Sequence, residues 1–184
     1  MQRFTSTPDA MKRALGSLPT GVTVISFADD EDRPVGMTAN AVCSVSLTPP
    51  LVLACLNRSS RAWAMIERRG RFGINILGEG QRAIAEHCAR PGQDKRLDPR
   101  WLERGLEPGA PAALAGALGY LDCAVDAAHP AGTHAIVVGR VRGILVEGGG
   151  GAPLAYFRGA YRQLDPSPES RAEAAWDLLA RHGY

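Results

Sequence analysis

Three short clusters carry side chains of types that hold ligands, each beside an apolar, strand-like run. The first reads Gly36-Met37-Thr38-Ala39-Asn40-Ala41-Val42-Cys43-Ser44-Val45-Ser46-Leu47, with Pro49-Pro50 behind it. Small side chains here let a flat ligand lie against backbone N–H and C=O groups. Thr38, Asn40, Ser44 and Ser46 can add hydrogen bonds to a heterocycle edge or a hydroxylated chain. Alternation along a strand accounts for Ser44 and Ser46 equally well as solvent-facing residues. The second cluster is Cys55-Leu56-Asn57-Arg58-Ser59-Ser60-Arg61, where an apolar run gives way to helical spacing. A helix N-terminus presents unpaired N–H groups and positive potential, so an anion fits there, and Arg58 adds a charge-assisted donor. An N-cap requires Asn57, Ser59 or Ser60 whether or not anything binds. The third is Ala131-Gly132-Thr133-His134, followed by the β-branched run to Gly139. A histidine opening a strand beside a glycine turn is either a hydrogen-bonded structural group or an imidazole at the mouth of a pocket. Downstream, Tyr156, Arg158 and Tyr161 stand within six residues, and the tyrosines read as core or interface aromatics.

Several familiar devices are missing. There is no G-x-G-x-x-G and no Gly-Lys-Ser/Thr, so neither glycine-rich phosphate cradle is present. G-x-S-x-G and H-E-x-x-H are absent too, which removes the commonest serine-hydrolase and zinc-protease readings. The histidines form no pair at helical spacing, and the four cysteines show no C-x-x-C. No nucleophile–base constellation stands out, so an enzymatic reading requires a cofactor to carry the difficult chemistry.

The elements that must position these clusters follow from periodicity. Thr7-Pro8-Asp9 caps a helix that stops near Gly16, and Gly21 opens a strand over Val22–Phe27. Asp29–Asp32 is a turn, Val35–Thr38 a return strand, and Ala41–Leu47 and Leu51–Leu56 two more around the Thr48-Pro49-Pro50 corner. Ser60–Arg69 is helical, with Ala62, Met65 and Ile66 on one face. Phe72–Leu77 is a strand and Gln81–Ala89 a short helix. Pro91–Gly109 reads as a polar excursion over the surface. Gly119–Asp126, His134–Glu147 and Leu154–Leu164 each read as one strand, and Pro166–Arg181 as an amphipathic closing helix. Many strands with few helices and no βα rhythm indicate a mainly β, antiparallel barrel or sandwich with flanking helices.

Composition sets the outer bounds. A chain of 184 residues with 45% hydrophobic and 22% charged residues is a globular domain able to bury a sizeable core. A net charge of +2 gives no field that favours nucleic acid. The N-terminus lacks the apolar core of a signal peptide, and Pro34–Asn57, the longest uncharged stretch, is too rich in Ser, Thr, Asn and Pro to cross a membrane as a helix. Scattered cysteines suit a reducing compartment, so a cytoplasmic location is expected.

Taken in order, the clusters resemble the flavin reductase family of the split-barrel FMN-binding fold. These small NAD(P)H:flavin oxidoreductases feed reduced flavin to two-component monooxygenases. The likeness rests on Leu18-Pro19-Thr20-Gly21-Val22-Thr23-Val24-Ile25, Gly36–Ala41, Ser44–Val52, Asn57–Ser60, Phe72–Leu77 and Gly132-Thr133-His134. It implies a split β-barrel over residues 1–165 with a helical extension over 166–184. It further implies FMN or FAD, NADH or NADPH, a homodimer with the flavin near its interface, and a flavin-dependent monooxygenase as recipient. The flavin would meet Met37, Thr38, Ala39, Asn40, Ser44, Val45 and Ser46. Its phosphate would sit at Asn57, Arg58, Ser59 and Ser60, with Cys55, Leu56, Asn75 and Gly132 also in contact. His134 would stand near the nicotinamide as the catalytic candidate, and Tyr156 and Arg158 around the same pocket. The family carries an acidic residue between Gly132 and His134, where this chain has Thr133. A flavin-binding module without reductase turnover, serving electron transfer or sensing, is the alternative, and a split-barrel dimer for another small ligand the third reading.

Overall fold

The computed structural model describes residues 5–148 and 151–164. The expected closing helix over Pro166–Arg181 lies outside them. Among the described residues, no helix is long and apolar enough to cross a membrane.

The barrel is one seven-stranded antiparallel sheet. Its strands are β2 (Thr23–Ala28), β3 (Pro34–Ala39), β4 (Val42–Leu47), β5 (Pro50–Asn57), β6 (Arg71–Ile76), β7 (Gly119–Ala131) and β8 (His134–Val146). They lie in the order β3-β2-β6-β7-β8-β5-β4. The two edges, β3 and β4, are consecutive in sequence with only Asn40 and Ala41 between them. A three-residue step spans at most about 11 Å, and adjacent strands lie about 4.8 Å apart. The sheet must therefore curl until its edges stand little more than two strand widths apart. That narrow gap is the split, and Asn40-Ala41 bridges it.

Side-chain alternation fills the interior. Ile25 and Phe27 on β2, Val52, Ala54 and Leu56 on β5, Phe72 and Ile74 on β6, and Ala135 and Val137 on β8 form the barrel core. Helix α2 (Arg61–Arg69) adds Ala62, Trp63, Met65 and Ile66. It starts at an N-cap, Ser60, whose Oγ accepts from Trp63 N–H, and ends on Gly70 at φ 67°, in the left-handed region that glycine tolerates. Three arginines hold α2 to the β2–β3 turn. Arg61 reaches Asp29 at 3.4 Å, Arg69 reaches Asp32 at 2.6 Å, and Arg68 pairs with Asp30.

A second core lies on the other face of β2, where Val22, Val24, Leu77 and Leu154 meet helix α3 (Arg82–Ala89) through Ile84, Ala85 and Cys88. A small sheet of β1 (Thr20–Gly21), β9 (Leu154–Phe157) and β10 (Ala160–Gln163) closes this side. Helix α1 (Pro8–Leu15) forms as its Thr7 cap dictates but buries no residue.

Three expectations are corrected. The excursion after α3 is not wholly superficial: Leu97 is buried in the second core, and its N–H and that of Gly36 bond across to Pro34 and Lys95, covering the β3 edge. β7 runs on to Ala131 instead of stopping at Asp126, because β8 pairs with its whole length past two bulges. Leu154–Leu164 is a hairpin, turning at Arg158 (φ 50°) and Gly159 (φ 78°).

Candidate functional site

The three clusters meet at the split. The Cys55 N–H donates to the Ala41 carbonyl at 3.0 Å, joining the first cluster to the second. Asn57 pairs with His134 across β5 and β8, and Arg58 N–H donates to the Thr133 carbonyl at 3.0 Å, joining the second to the third.

The strip at the gap is held on both sides. The Thr23 hydroxyl donates to Ala39 O at 2.7 Å, the Thr38 hydroxyl to Ala85 O at 2.6 Å, and Asn40 Nδ2 to Thr20 Oγ1 at 3.3 Å. Beside the strip lies a cavity of about 260 Å³ bounded by Val22, Thr38, Ala39, Asn40, Tyr156 and Tyr161. The two tyrosine rings meet edge to face, 5.5 Å between centroids. Burial, then the Glu86 carboxylate, pushes the Tyr161 phenol up, so it stays protonated and able to donate. Met37 and Ala39 pack on the barrel core, so their side chains line the barrel.

β4 is an edge strand with β5 on one side and no strand on the other among the described residues. Backbone N–H and C=O groups along its outer edge are therefore open to a heterocycle. Ser44 and Val45 are exposed at a bulge between Ser44 and Ser46, and Ser46 Oγ accepts from Thr48 N–H at 3.1 Å.

At the α2 end, Asn57 Oδ1 accepts from the Ser59 N–H (2.9 Å) and hydroxyl (2.8 Å), and the Ser60 hydroxyl donates to Asn57 O at 2.7 Å. These bonds fold the junction into a tight corner whose side chains are exposed. A groove of about 550 Å³ runs from it, lined by Arg58, Ser59, Trp63, Glu67 and, from the extended end of β7, Ala128 and Pro130. Arg61 leans toward Asp29 instead, which leaves Arg58 as the cation of this corner.

Gly132 at φ 59° makes the two-residue turn that ends β7 and starts β8. It sets Thr133 beside His134, with Thr133 Oγ1 2.9 Å from Nδ1, so Nε2 is the ring atom left to reach outward. The imidazole is exposed.

Three expected contacts are corrected. Asn75 is completely buried: its Nδ2 donates to Val24 O (3.1 Å) and Ser26 Oγ (3.2 Å), and its Oδ1 accepts from Leu114 N–H at 2.7 Å. It ties the 97–118 segment to the sheet and has no atom to offer a ligand. The Leu56 side chain fills the barrel core at 1% exposure, so only its backbone can face the site. Arg158 stands in a separate groove with Lys12 and Ser17. Sequence reasoning missed Thr20, which anchors Asn40, and the groove wall from Ala128 and Pro130, for which strand-like alternation past Asp126 gives no signal.

The chain is 39% identical over 176 residues to the flavin reductase (NADH) of Kitasatospora aureofaciens, covering 94% of this chain and 89% of that protein. It is equally close to the reductase subunit HsaB of a flavin-dependent monooxygenase from Rhodococcus jostii, covering 94% and 86%. The Streptomyces globisporus NADH:FAD oxidoreductase SgcE6, solved with NAD and FAD fragments, superposes with a TM-score of 0.81 at 30% identity, over 91% of this chain and 99% of that one. Residues 15–165 match the family described as flavin reductase like domain, and the chain, a mainly β split barrel, belongs to it.

Proposed function

We propose that this chain is an NADH-dependent flavin reductase that supplies reduced flavin to a separate monooxygenase. The observation that carries the reading is the convergence at one split of a small-residue strip, a cationic helix corner and an exposed imidazole. These residues fit a flavin mononucleotide moiety, which FMN and FAD share. The Thr38–Asn40 strip and the open β4 edge suit a planar heterocycle with donors and acceptors along one side. The corner of Asn57, Arg58, Ser59 and the first turn of α2 suits a phosphate. The flavin, when bound, supplies the redox chemistry: it accepts a hydride from a dihydronicotinamide and delivers two electrons onward.

The protein's work is then placement. Asn40, held by Thr20, fixes the ring edge. Arg58 and the α2 N–H groups anchor the phosphate, and Tyr156 and Tyr161 wall the pocket against water. His134, with Nδ1 on Thr133, keeps Nε2 available where the nicotinamide approaches. Among the described residues no constellation could hold a metal.

The site is open along β4, where Val45 and Leu47 are 49% and 69% exposed, which supports a homodimer whose second copy shelters the flavin. All four cysteines are free thiols, which supports a cytoplasmic location. The test is nicotinamide oxidation at 340 nm with FMN or FAD, using NADH and NADPH in turn. Turnover above a protein-free control is expected, with NADH the better donor. Stoichiometric flavin that neither donor bleaches would instead support an electron-transfer or sensing module.

A further inference from the structure

A cavity of about 260 Å³ lies away from the split, between the β2–β3 turn and the loop that follows Leu102. Strand β2 separates the two places. Thr23 holds Ala39 at the split, and Ala28 pairs with Pro34 at the cavity, five residues or about 17 Å further along. Phe27 and Pro34 form one wall, and Leu102, Leu106, Ala110 and Pro111 the other. The loop is pinned at both limbs. Leu102 bridges to Leu114, and Glu103 N–H donates to Ala113 O at 2.9 Å, which closes its neck. The Tyr120 hydroxyl donates to Pro111 O and the Ser26 hydroxyl to Ala112 O, each at 2.6 Å, which ties the returning limb to the sheet. Gly73 permits that approach, since a Cβ there would stand 2.4 Å from Ser26 Oγ and 3.3 Å from Pro111 Cβ.

Leu102, Leu106 and Ala110 stay only half-buried although they face this cavity. Apolar surface held apart in this way is surface that an apolar ligand of matching size takes from water. The volume lies at the lower end for ligand pockets, which run upward from about 300 Å³, so a single-ring molecule suits it. Charge at the rim sets what else that molecule carries. Asp32 and Glu103 are the two charged residues of the lining. Arg69 neutralises Asp32 at 2.6 Å. Glu103 is exposed, its carboxylate accepts from Arg104 N–H at 3.1 Å, and among the described residues no cation pairs with it. One uncompensated negative charge therefore borders an apolar cavity.

We propose that this cavity binds a small arylalkyl ammonium, its ring between Phe27 and Leu106 and its ammonium donating to the Glu103 carboxylate. The site shares no residue with the split and does not rest on the reductase reading.

Three probes of similar shape and different charge decide it: 2-phenylethylammonium, 2-phenylethanol and phenylacetate. Each is titrated at neutral pH into the full chain, as wild type, Glu103→Gln and Ala110→Leu, and followed by backbone amide chemical shifts. The ammonium should bind wild type with a Kd of about 1 mM, the alcohol about tenfold more weakly and phenylacetate more weakly still. The shifts should fall on Phe27, Leu106 and Ala112. Glu103 is exposed, so Glu103→Gln keeps the fold. It should bring the ammonium to the alcohol's affinity and leave the alcohol within about twofold. Ala110→Leu fills the cavity and should abolish binding of both. If that variant loses its fold, the Glu103→Gln titrations decide alone. Equal affinity for the three probes, an unchanged ammonium Kd in Glu103→Gln, or shifts away from the 27–34 and 102–112 segments would overturn the proposal. So would wild-type protein that shows no ammonium binding up to about 20 mM.

Discussion

Asn57 and His134 stand opposite one another as a cross-strand pair of β5 and β8, one shaping the cationic corner and the other presenting the imidazole. The backbone bond from Arg58 to Thr133 one residue beyond makes the two ends a single rigid unit. The cationic corner and the imidazole are thereby set at a fixed separation by the sheet, and substitutions on either side test the proposed binding and turnover roles apart.

Replacing Arg58 by Ala removes the one cation aimed at the corner. FMN affinity should fall about tenfold, the scale of a charge-assisted hydrogen bond, while phosphate-free riboflavin binds within about twofold of wild type. Fluorescence-quenching titrations of both flavins measure this, and equal losses would remove the phosphate from this corner.

Thr133→Val deletes the partner of His134 Nδ1 and frees the ring to rotate. Turnover with NADH should drop about three- to tenfold, as expected for one neutral hydrogen bond, with flavin Kd unchanged. Thr133→Ser should restore turnover. Steady-state rates beside a flavin titration decide it, and a change in flavin Kd alone would assign His134 to binding.

Asn75→Leu strands the Leu114 N–H and the Val24 carbonyl in the interior. Stability should fall by about 2–3 kcal/mol, the penalty of a buried unsatisfied donor, read as a lower urea midpoint. Flavin affinity of the folded fraction should not move. Lost affinity at unchanged stability would return Asn75 to the ligand site.

Asp29 is one source of acid sensitivity. Burial pushes its carboxyl up, but the Arg33 guanidinium and the Arg33 and Glu31 N–H groups outweigh that and bring it down to about 2. An unfolded aspartate titrates near 3.9, roughly. The folded state therefore holds the carboxylate while the unfolded chain takes a proton. The stability this contributes is complete above about pH 4 and is lost as pH falls toward 2. Thermal midpoints recorded from pH 7 to 2 should stay level at first and then drop across that window. Asp29→Asn should be less stable at pH 7 and show a shallower acid limb; a parallel limb would place the acid sensitivity elsewhere.

Much of this was legible in residue types. β-branched alternation gave the strands around Val22–Phe27 and Phe72–Leu77, and the Asn57–Ser60 junction read as both cap and anion corner; Ser60 is the cap. What escaped has physical causes. Asn75 looks like any polar strand residue until the segment carrying Leu114 folds over it. The β9–β10 turn was hidden because arginine at a left-handed φ breaks the usual turn chemistry. The last turn of β7, Ala127 to Ala131, has no apolar period and exists only through pairing with β8. Leu97, a lone apolar residue in a polar stretch, gave no sign of reaching the second core.

The two-residue bridge between β3 and β4 also bears on how the chain reaches its shape. β2–β3 and β4–β5 pair locally as hairpins, whereas the ladders of β2 with β6 and of β5 with β8 join segments distant in sequence. Closing those distant pairings costs entropy before their contacts form, a topology that slows folding. Lengthening the Asn40-Ala41 bridge would let the barrel edges part and, by the same token, loosen the strip proposed to meet the flavin.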